Sequence, residues 1–324
     1  MFVDVGAAGV HAMSCGGLPV LERVLRVAAT AGATRALVPA VPIALRPDLP
    51  IAVEWIAPAE PAPEGVRVIP GDVVSGVTIR DAASLREAEH ALVAGLGKSF
   101  EGPFDKYFNS IFSRPITTAL MRTKIRPNHI TIVATLIGLG GAALLLGRTW
   151  TAYALAGTLL EIQCILDSCD GEIARLKYQG SRLGQWLDTL TDGILDNAFV
   201  ACAALAAGGA WQTVGLAMVA ARMYVEIYVY VDVYRRTRTP DQAQFRLWYE
   251  DERASADEIY DYRTFNSWFR SLGRRDVFVA AYWLFCLANL PEGVVLYASV
   301  MNFISAVGIS LHVVMKRVRR VRRS

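Results

Sequence analysis

The stretch DSCDGEIARLKYQGSRLGQWLDTLTDGILD, residues 167–196, decides how this chain is read. It carries Asp167, Asp170, Asp188, Asp192 and Asp196, with Glu161 just before it and Glu172 inside it. Its surroundings are apolar: residues 128–147, 197–221 and 293–315 hold no Asp, Glu, Lys or Arg. A helix of about 20 such residues crosses a bilayer, and an Asp at the centre of one costs about 2.5–3.5 kcal/mol. Carboxylates crowded in such a setting repel one another, and few cations lie close in sequence. A multivalent cation resolves the repulsion, and the spacing fits one. Asp167 and Asp170 are i, i+3, and Asp188 and Asp192 are i, i+4, so each pair shares one helix face. Two antiparallel helices can then point these four carboxylates at one another. Hard oxygen ligands suit Mg²⁺ or Mn²⁺ rather than zinc. Several carboxylates can hold two ions, an arrangement that stabilises a phosphoryl-transfer transition state from both sides.

Composition agrees with a membrane setting. The 324 residues are 53% hydrophobic and 19% charged, against about 25% charged in soluble proteins, and the mean hydropathy is +0.33. A disordered, fibrous or ordinary soluble protein is excluded. A net charge of +3 gives no argument for nucleic acid. The cysteines (Cys15, Cys164, Cys169, Cys202, Cys286) are scattered, and none forms a zinc or redox pair. Six spans are expected, at 127–147, 150–177, 183–208, 211–235, 276–290 and 292–315. Arg122, Lys124 and Arg126 precede the first, Arg175, Lys177 and Arg182 separate the second from the third, and KRVRRVRRS ends the chain. The opposite loops are nearly bare of basic residues, so both termini are expected in the cytoplasm. The basic end also suits anionic lipid. No cleavable signal peptide is expected.

The first hundred residues read differently. FVDVG (2–6), RALVPA (35–40), IAVEWIA (51–57), VRVIPG (66–71) and VTIRD (77–81) have strand character. LPVLERVLRVAATAGA (18–33) has helical spacing. Strand, helix, strand predicts an α/β unit with a parallel sheet. PFDKYFNSIFSRPITTALMRTK (103–124) mixes aromatic and basic residues, as an interfacial amphipathic helix does. The alternative for it is a linker helix packed on the soluble domain. The polar insert 236–275 is expected to form a cytoplasmic amphipathic helix or hairpin. The expected fold is therefore mainly α: a six-helix transmembrane bundle (126–318) behind a small cytosolic α/β domain (1–98) and an amphipathic juxtamembrane helix (99–125), with a basic tail at 319–324.

Asp167, Asp170, Gly171, Ala174, Arg175, Gly184, Asp188 and Asp192, at their spacing, resemble the signature of the CDP-alcohol phosphotransferases. The resemblance runs over roughly residues 100–318 and includes RPNHIT (126–131), similar to the Pro-Asn entry of the first span. It implies six membrane helices, a homodimer, and a polar cavity open to the cytoplasm. It also implies transfer of a phosphoalcohol group from a CDP-linked donor to a hydroxyl, with release of CMP. By position, Asp167, Asp170 and Asp188 would bind divalent ions, and Asp192 would be the general base and also touch a metal. Gly171, Ala174, Arg175, Gly184 and Asn128 would border the nucleotide. The donor would be CDP-diacylglycerol or CDP-inositol, the acceptor a small polar alcohol such as an inositol or glycerol phosphate, and the setting a prokaryotic cell membrane. GGLPVLERVLRVAATAGATRALV (16–38) resembles a sugar-nucleotide transferase segment, but VGAAGVHAMSCGG (5–17) departs from a Gly-rich phosphate loop and Leu18 stands where a Lys is expected. That domain is read as a degenerate, non-catalytic cytidylyltransferase-like domain.

Arg182, Arg222, Arg274 and Arg275 are candidates for holding the acceptor, since Arg pairs well with phosphate. The competing readings are an Arg222–Glu226 structural pair and a topology signal at Arg182, Arg274 and Arg275. Asp196, one turn beyond Asp192, is read as support for its neighbours. The rival functions are a transporter, because intramembrane carboxylates also mark ion pathways, and a catalytically inactive scaffold. No repeat of the acidic pattern favours the first, and all four signature Asp are retained against the second.

Overall fold

The computed structural model describes residues 1–5, 9–58, 61–96, 102–238, 242–248 and 272–321, without the side chains of 243 and 319–321. Most of the expected helix or hairpin in 236–275 and the side chains of the basic tail lie outside these residues. The chain clusters into two compact units. One is Met1–Leu96 with Arg114–Ile125 and Glu172–Gln179; the other is Gly97–Ser113, Arg126–Gly171 and Gly180–Ser324.

The first unit opens with β1 (Phe2–Asp4), β2 (Ser14–Cys15), β3 (Leu18–Pro19), α1 (Val20–Thr30), β4 (Arg35–Pro39), β5 (Ala52–Ile56) and β6 (Val68–Pro70). β7 (Val73–Val74), β8 (Val77–Thr78) and α2 (Ala82–Ala94) follow. The parallel sheet runs β5-β4-β1-β6, with Phe2 opposite Leu37 and Val68. The strand expected at 77–81 does not join it; β8 pairs antiparallel with β7 instead. Val20, Leu21, Val24 and Leu25 of α1 bury with Val3 and Val38 in the core. Burial raises the Cys15 thiol to about 11, so it remains a neutral packing group. Asp81 caps α2 by accepting from the backbone N–H groups of Ala83 (3.0 Å) and Ser84 (2.8 Å).

A five-residue π turn, Asp105–Asn109, leads into α3 (Ser110–Leu120) within the stretch expected to be amphipathic. The helices that follow are α4 (Pro127–Leu144), α5 (Trp150–Leu176), α6 (Arg182–Ala207), α7 (Gly209–Thr237), α8 (Arg275–Leu287) and α9 (Pro291–Val321). Pro127 occupies the first turn of α4, where its missing N–H costs nothing. Ser181 caps α6, its hydroxyl accepting from the Gly184 N–H at 3.0 Å.

These helices stand where the six spans are expected, and among the described residues four stretches are long and apolar enough to cross a membrane: Pro127–Gly147, Arg182–Ala207, Gly209–Thr237 and Pro291–Val318. The other two fall short for different reasons. α5 has 27 residues but carries Glu161, Asp167, Asp170 and Glu172. α8 has 13 residues, about 20 Å of helix against a hydrocarbon core of about 30 Å.

The core of this unit gathers Leu145, Leu160, Leu195, Phe199, Tyr282 and Val295. Its helices approach through small residues. A Cβ on Gly215 of α7 would lie 2.5 Å from the Ala204 Cβ of α6 and 3.0 Å from Val295 Cγ1 of α9. Both neighbours are fully buried. Gly215→Val is expected to cost about 1–3 kcal/mol by overpacking and to lower the unfolding midpoint in detergent. An unchanged midpoint would show that the α6–α7–α9 crossing is loose.

Candidate metal and phosphotransfer site

α5 and α6 bring Asp167, Asp170 and Asp188 together. One carboxylate oxygen from each lies within 4.8 Å of the others. Asp170 is buried and the other two are half-buried. The Thr131 hydroxyl of α4 donates to Asp170 Oδ2, a contact absent from the sequence reading. This is a hard, anionic, all-oxygen donor set, and it fits Mg²⁺ or Mn²⁺.

Asp192, expected as a further ligand, lies outside this group of three and pairs with Arg275. Arg275 Nη1 lies 3.0 Å from Asp192 Oδ1 and 3.2 Å from Asp167 Oδ2. Its Nε is 3.4 Å from Asp196 Oδ1, and its Nη2 donates to Gln163 Oε1 at 2.8 Å. One guanidinium at the first residue of α8 therefore reaches carboxylates on both α5 and α6. The network continues through α7. Arg222 Nη2 donates to Asp196 Oδ2 at 2.8 Å, and its Nε donates to Glu226 Oε1 at 2.7 Å. Asn197 Nδ2 donates to Glu226 Oε2 at 2.9 Å. Asp188, Asp192, Asp196, Arg222, Glu226 and Arg275 line a polar cavity of about 340 Å³. A larger, mostly apolar groove of about 830 Å³ between α7 and α9 contains none of these six.

The other acceptor candidates lie elsewhere. Arg274 Nε donates to Asp276 Oδ1 at 3.1 Å, and Arg182 is exposed at the start of α6. Among the nucleotide candidates, Asn128 and Gly184 are brought together: a Cβ on Gly184 would lie 3.0 Å from Asn128 Oδ1. Gly171, Ala174 and Arg175 follow Asp170 along α5. Gln163, Thr131 and Asn197 were not singled out from the sequence. Only Gln163 carried a signal, an amide inside an apolar run four residues before Asp167.

Residues 124–247 match the family model described as CDP-alcohol phosphatidyltransferase. That stretch is a CDP-alcohol phosphatidyltransferase domain. The chain is 29% identical over 147 residues to the "Bifunctional IPC transferase and DIPP synthase" of Aquifex aeolicus, covering 44% of this chain and 33% of that protein. It is 34% identical over 122 residues to the protein of that name in Archaeoglobus fulgidus, covering 37% of this chain and 24% of the relative. It is 28% identical over 88 residues to the "Phosphatidylinositol phosphate synthase" of Corynebacterium glutamicum, covering 27% of this chain and 39% of that protein. The matches to the two bifunctional relatives thus span a third or less of their length.

Removing one oxygen donor from the group tests it as a CDP-alcohol phosphatidyltransferase metal centre. Asp170→Asn and Asp188→Asn are each expected to weaken Mn²⁺ binding by at least about tenfold, read by electron paramagnetic resonance of free Mn²⁺. Equal binding by wild type and both variants would remove the assignment.

Proposed function

We propose that this chain is an integral-membrane, divalent-metal-dependent CDP-alcohol phosphotransferase with its cavity and both termini in the cytoplasm. The single observation that carries the reading is the convergence of Asp167, Asp170 and Asp188 within 4.8 Å beside Asp192, in a domain of this family. The donor is CDP-diacylglycerol or CDP-inositol, and the acceptor is a small polar alcohol such as an inositol or glycerol phosphate. The name of the phosphatidylinositol phosphate synthase supports an inositol-type substrate. A six-span bundle, a homodimer and a prokaryotic cell membrane complete the proposal. The outward side chains of Met223, Tyr224 and Ile227 on α7 are consistent with a neighbour, protein or lipid.

In this reading Asp192 is the general base. A carboxylate base works with its hydroxyl within about 2.6–3.2 Å or through one water. Asp192 lines the polar cavity, and Arg275 fixes its Oδ1. As the acceptor oxygen bonds to the phosphorus that carries the donor's alcohol, the bond from that phosphorus to CMP breaks and Asp192 takes the hydroxyl proton. Asp167, Asp170 and Asp188 would hold two divalent ions, whose contribution when bound is to neutralise the pyrophosphate and the departing CMP. Asn128 and the bare backbone at Gly184 give the nucleotide room beside α6. Arg222 and Arg275 offer the acceptor cationic partners in the cavity wall, at the expense of their bonds to Asp196 and Glu226.

The test is CMP release by the purified protein in detergent with Mg²⁺ or Mn²⁺, with each donor against a panel of polyol phosphates. Metal-dependent release with one pair is expected, and it names the substrates. Asp192→Asn is expected to lower kcat by about 10²-fold or more while retaining Mn²⁺. Full activity in Asp192→Asn would remove the base assignment. No binding of CDP or metal by the wild type would favour a scaffold.

A further inference from the structure

Arg114–Ile125 and Glu172–Gln179 cluster with Met1–Leu96 in one compact unit. The end of α5 thus belongs with the N-terminal sheet. Helix ends leave backbone carbonyls without intrahelical partners, and cations are favoured there. Here Leu176 O accepts from Arg23 Nη2 at 2.9 Å, and Lys177 O accepts from Arg46 Nη1 at 2.8 Å. Arg23 also donates from Nε to Cys15 O and from Nη2 to Gly16 O, both at 3.1 Å. One side chain therefore ties the β2–β3 turn to the last turn of α5. Lys177 Nζ donates onward to the carbonyls of Leu120 (3.3 Å), Thr123 (2.8 Å) and Ile125 (3.2 Å). Tyr178 stacks beneath Arg26 at 5.1 Å, and Arg26 is paired with Glu22 at 2.9 Å and Asp48 at 2.7 Å.

The turn itself is shaped for this contact. Gly16 and Gly17 have φ of +58° and +80°, as a two-residue hairpin turn requires. A Cβ on Gly17 would lie 2.6 Å from Met121 O and 3.2 Å from Lys177 Cε. A Cβ on Gly16 would lie 2.8 Å from Arg23 Nη2 and 3.3 Å from Leu176 Cδ1. The glycine turn is thus filled by the chain's own α3 and α5 ends. Arg23 and Lys177 are only 2% and 4% exposed. Charges buried this deeply are costly unless each donor is met; here Arg23 is met by the carbonyls of Cys15, Gly16 and Leu176, and Lys177 by those of Leu120, Thr123 and Ile125.

We propose that the N-terminal domain is a clamp on the end of α5, with Arg23 and Arg46 as positioning residues that set Ala174 and Arg175 for the donor's nucleotide. The nucleotide part of this rests on the phosphotransferase reading; the clamp does not. The test uses the full-length protein in detergent, as Arg46→Ala, Arg23→Ala and Arg23→Lys. Amide hydrogen exchange over residues 172–178 is read first, without substrate. Arg46→Ala and Arg23→Ala are expected to speed it about tenfold, with Arg23→Lys between them and wild type, while residues 127–144 keep their rates. The donor KM is then expected to rise about tenfold, with kcat and the acceptor KM within about twofold. Arg46 has a 29% exposed side chain, so its variant keeps the test in hand if Arg23→Ala does not fold. Unchanged exchange in both alanine variants would overturn the clamp. Faster exchange with an unchanged donor KM, or with kcat and both KM values altered together, would overturn the positioning role. Faster exchange in a protein that turns over no CDP-alcohol would uphold the clamp and reject the phosphotransferase reading.

Discussion

Carboxylates held within 4.8 Å of one another in an apolar bundle constrain everything built around them. Each ionised pair at that separation repels by roughly 3–4 kcal/mol at an effective dielectric of about 20. Three such pairs together rival the net stability of a whole domain, about 5–15 kcal/mol. The second unit meets part of this load with its own cations. Arg275 contacts Asp167, Asp192 and Asp196, and Arg222 contacts Asp196 and Glu226. Neither guanidinium can be removed without leaving buried charge unmatched, a change that typically costs about 3–5 kcal/mol.

The reach of Arg275 depends on where α8 begins. Asp276, the next residue, accepts from the Phe104 N–H at 3.1 Å, and a Cβ on Gly102 would overlap its carboxylate. The segment ahead of α3 therefore fixes the first turn of α8 through backbone hydrogen bonds. α8 has 13 residues in all, and its first turn, with Arg275 and Asp276, is committed to ion pairs at the level of the carboxylates.

Local periodicity made the acidic pattern legible, because i, i+3 and i, i+4 spacings fix a helix face without reference to the rest of the chain. The α/β character of the first domain was legible for the same reason, from strand-length runs and one amphipathic helix. Long-range partners were not. Arg275 lies 79 residues from Asp196 and 108 from Asp167, and nothing in its neighbourhood distinguishes it from Arg274, which turns to Asp276 instead. The departure of residues 5–17 from a phosphate loop was visible in the sequence. Its physical reason, a glycine turn filled by Met121 O and Lys177, needed three dimensions. Length and apolarity alone mark four of the six expected spans among the described residues, because carboxylates lower the apolarity of α5 and α8 has 13 residues.

The sequence reading gives metal binding to Asp167, Asp170, Asp188 and Asp192 and the base role to Asp192, and the charge arrangement bears on how these tasks could be shared. The metal-type group and Arg275 overlap at Asp167 alone among the described residues. A divalent ion held by that group would compete with the guanidinium for Asp167, whereas the 3.0 Å contact is to Asp192, outside the group. In the proposed reading Arg275 is the protein's own counter-charge to Asp192, one that does not depart with product. In that reading, separate cationic partners for its carboxylates would let one acidic cluster hold ions through Asp167, Asp170 and Asp188 and accept a proton at Asp192.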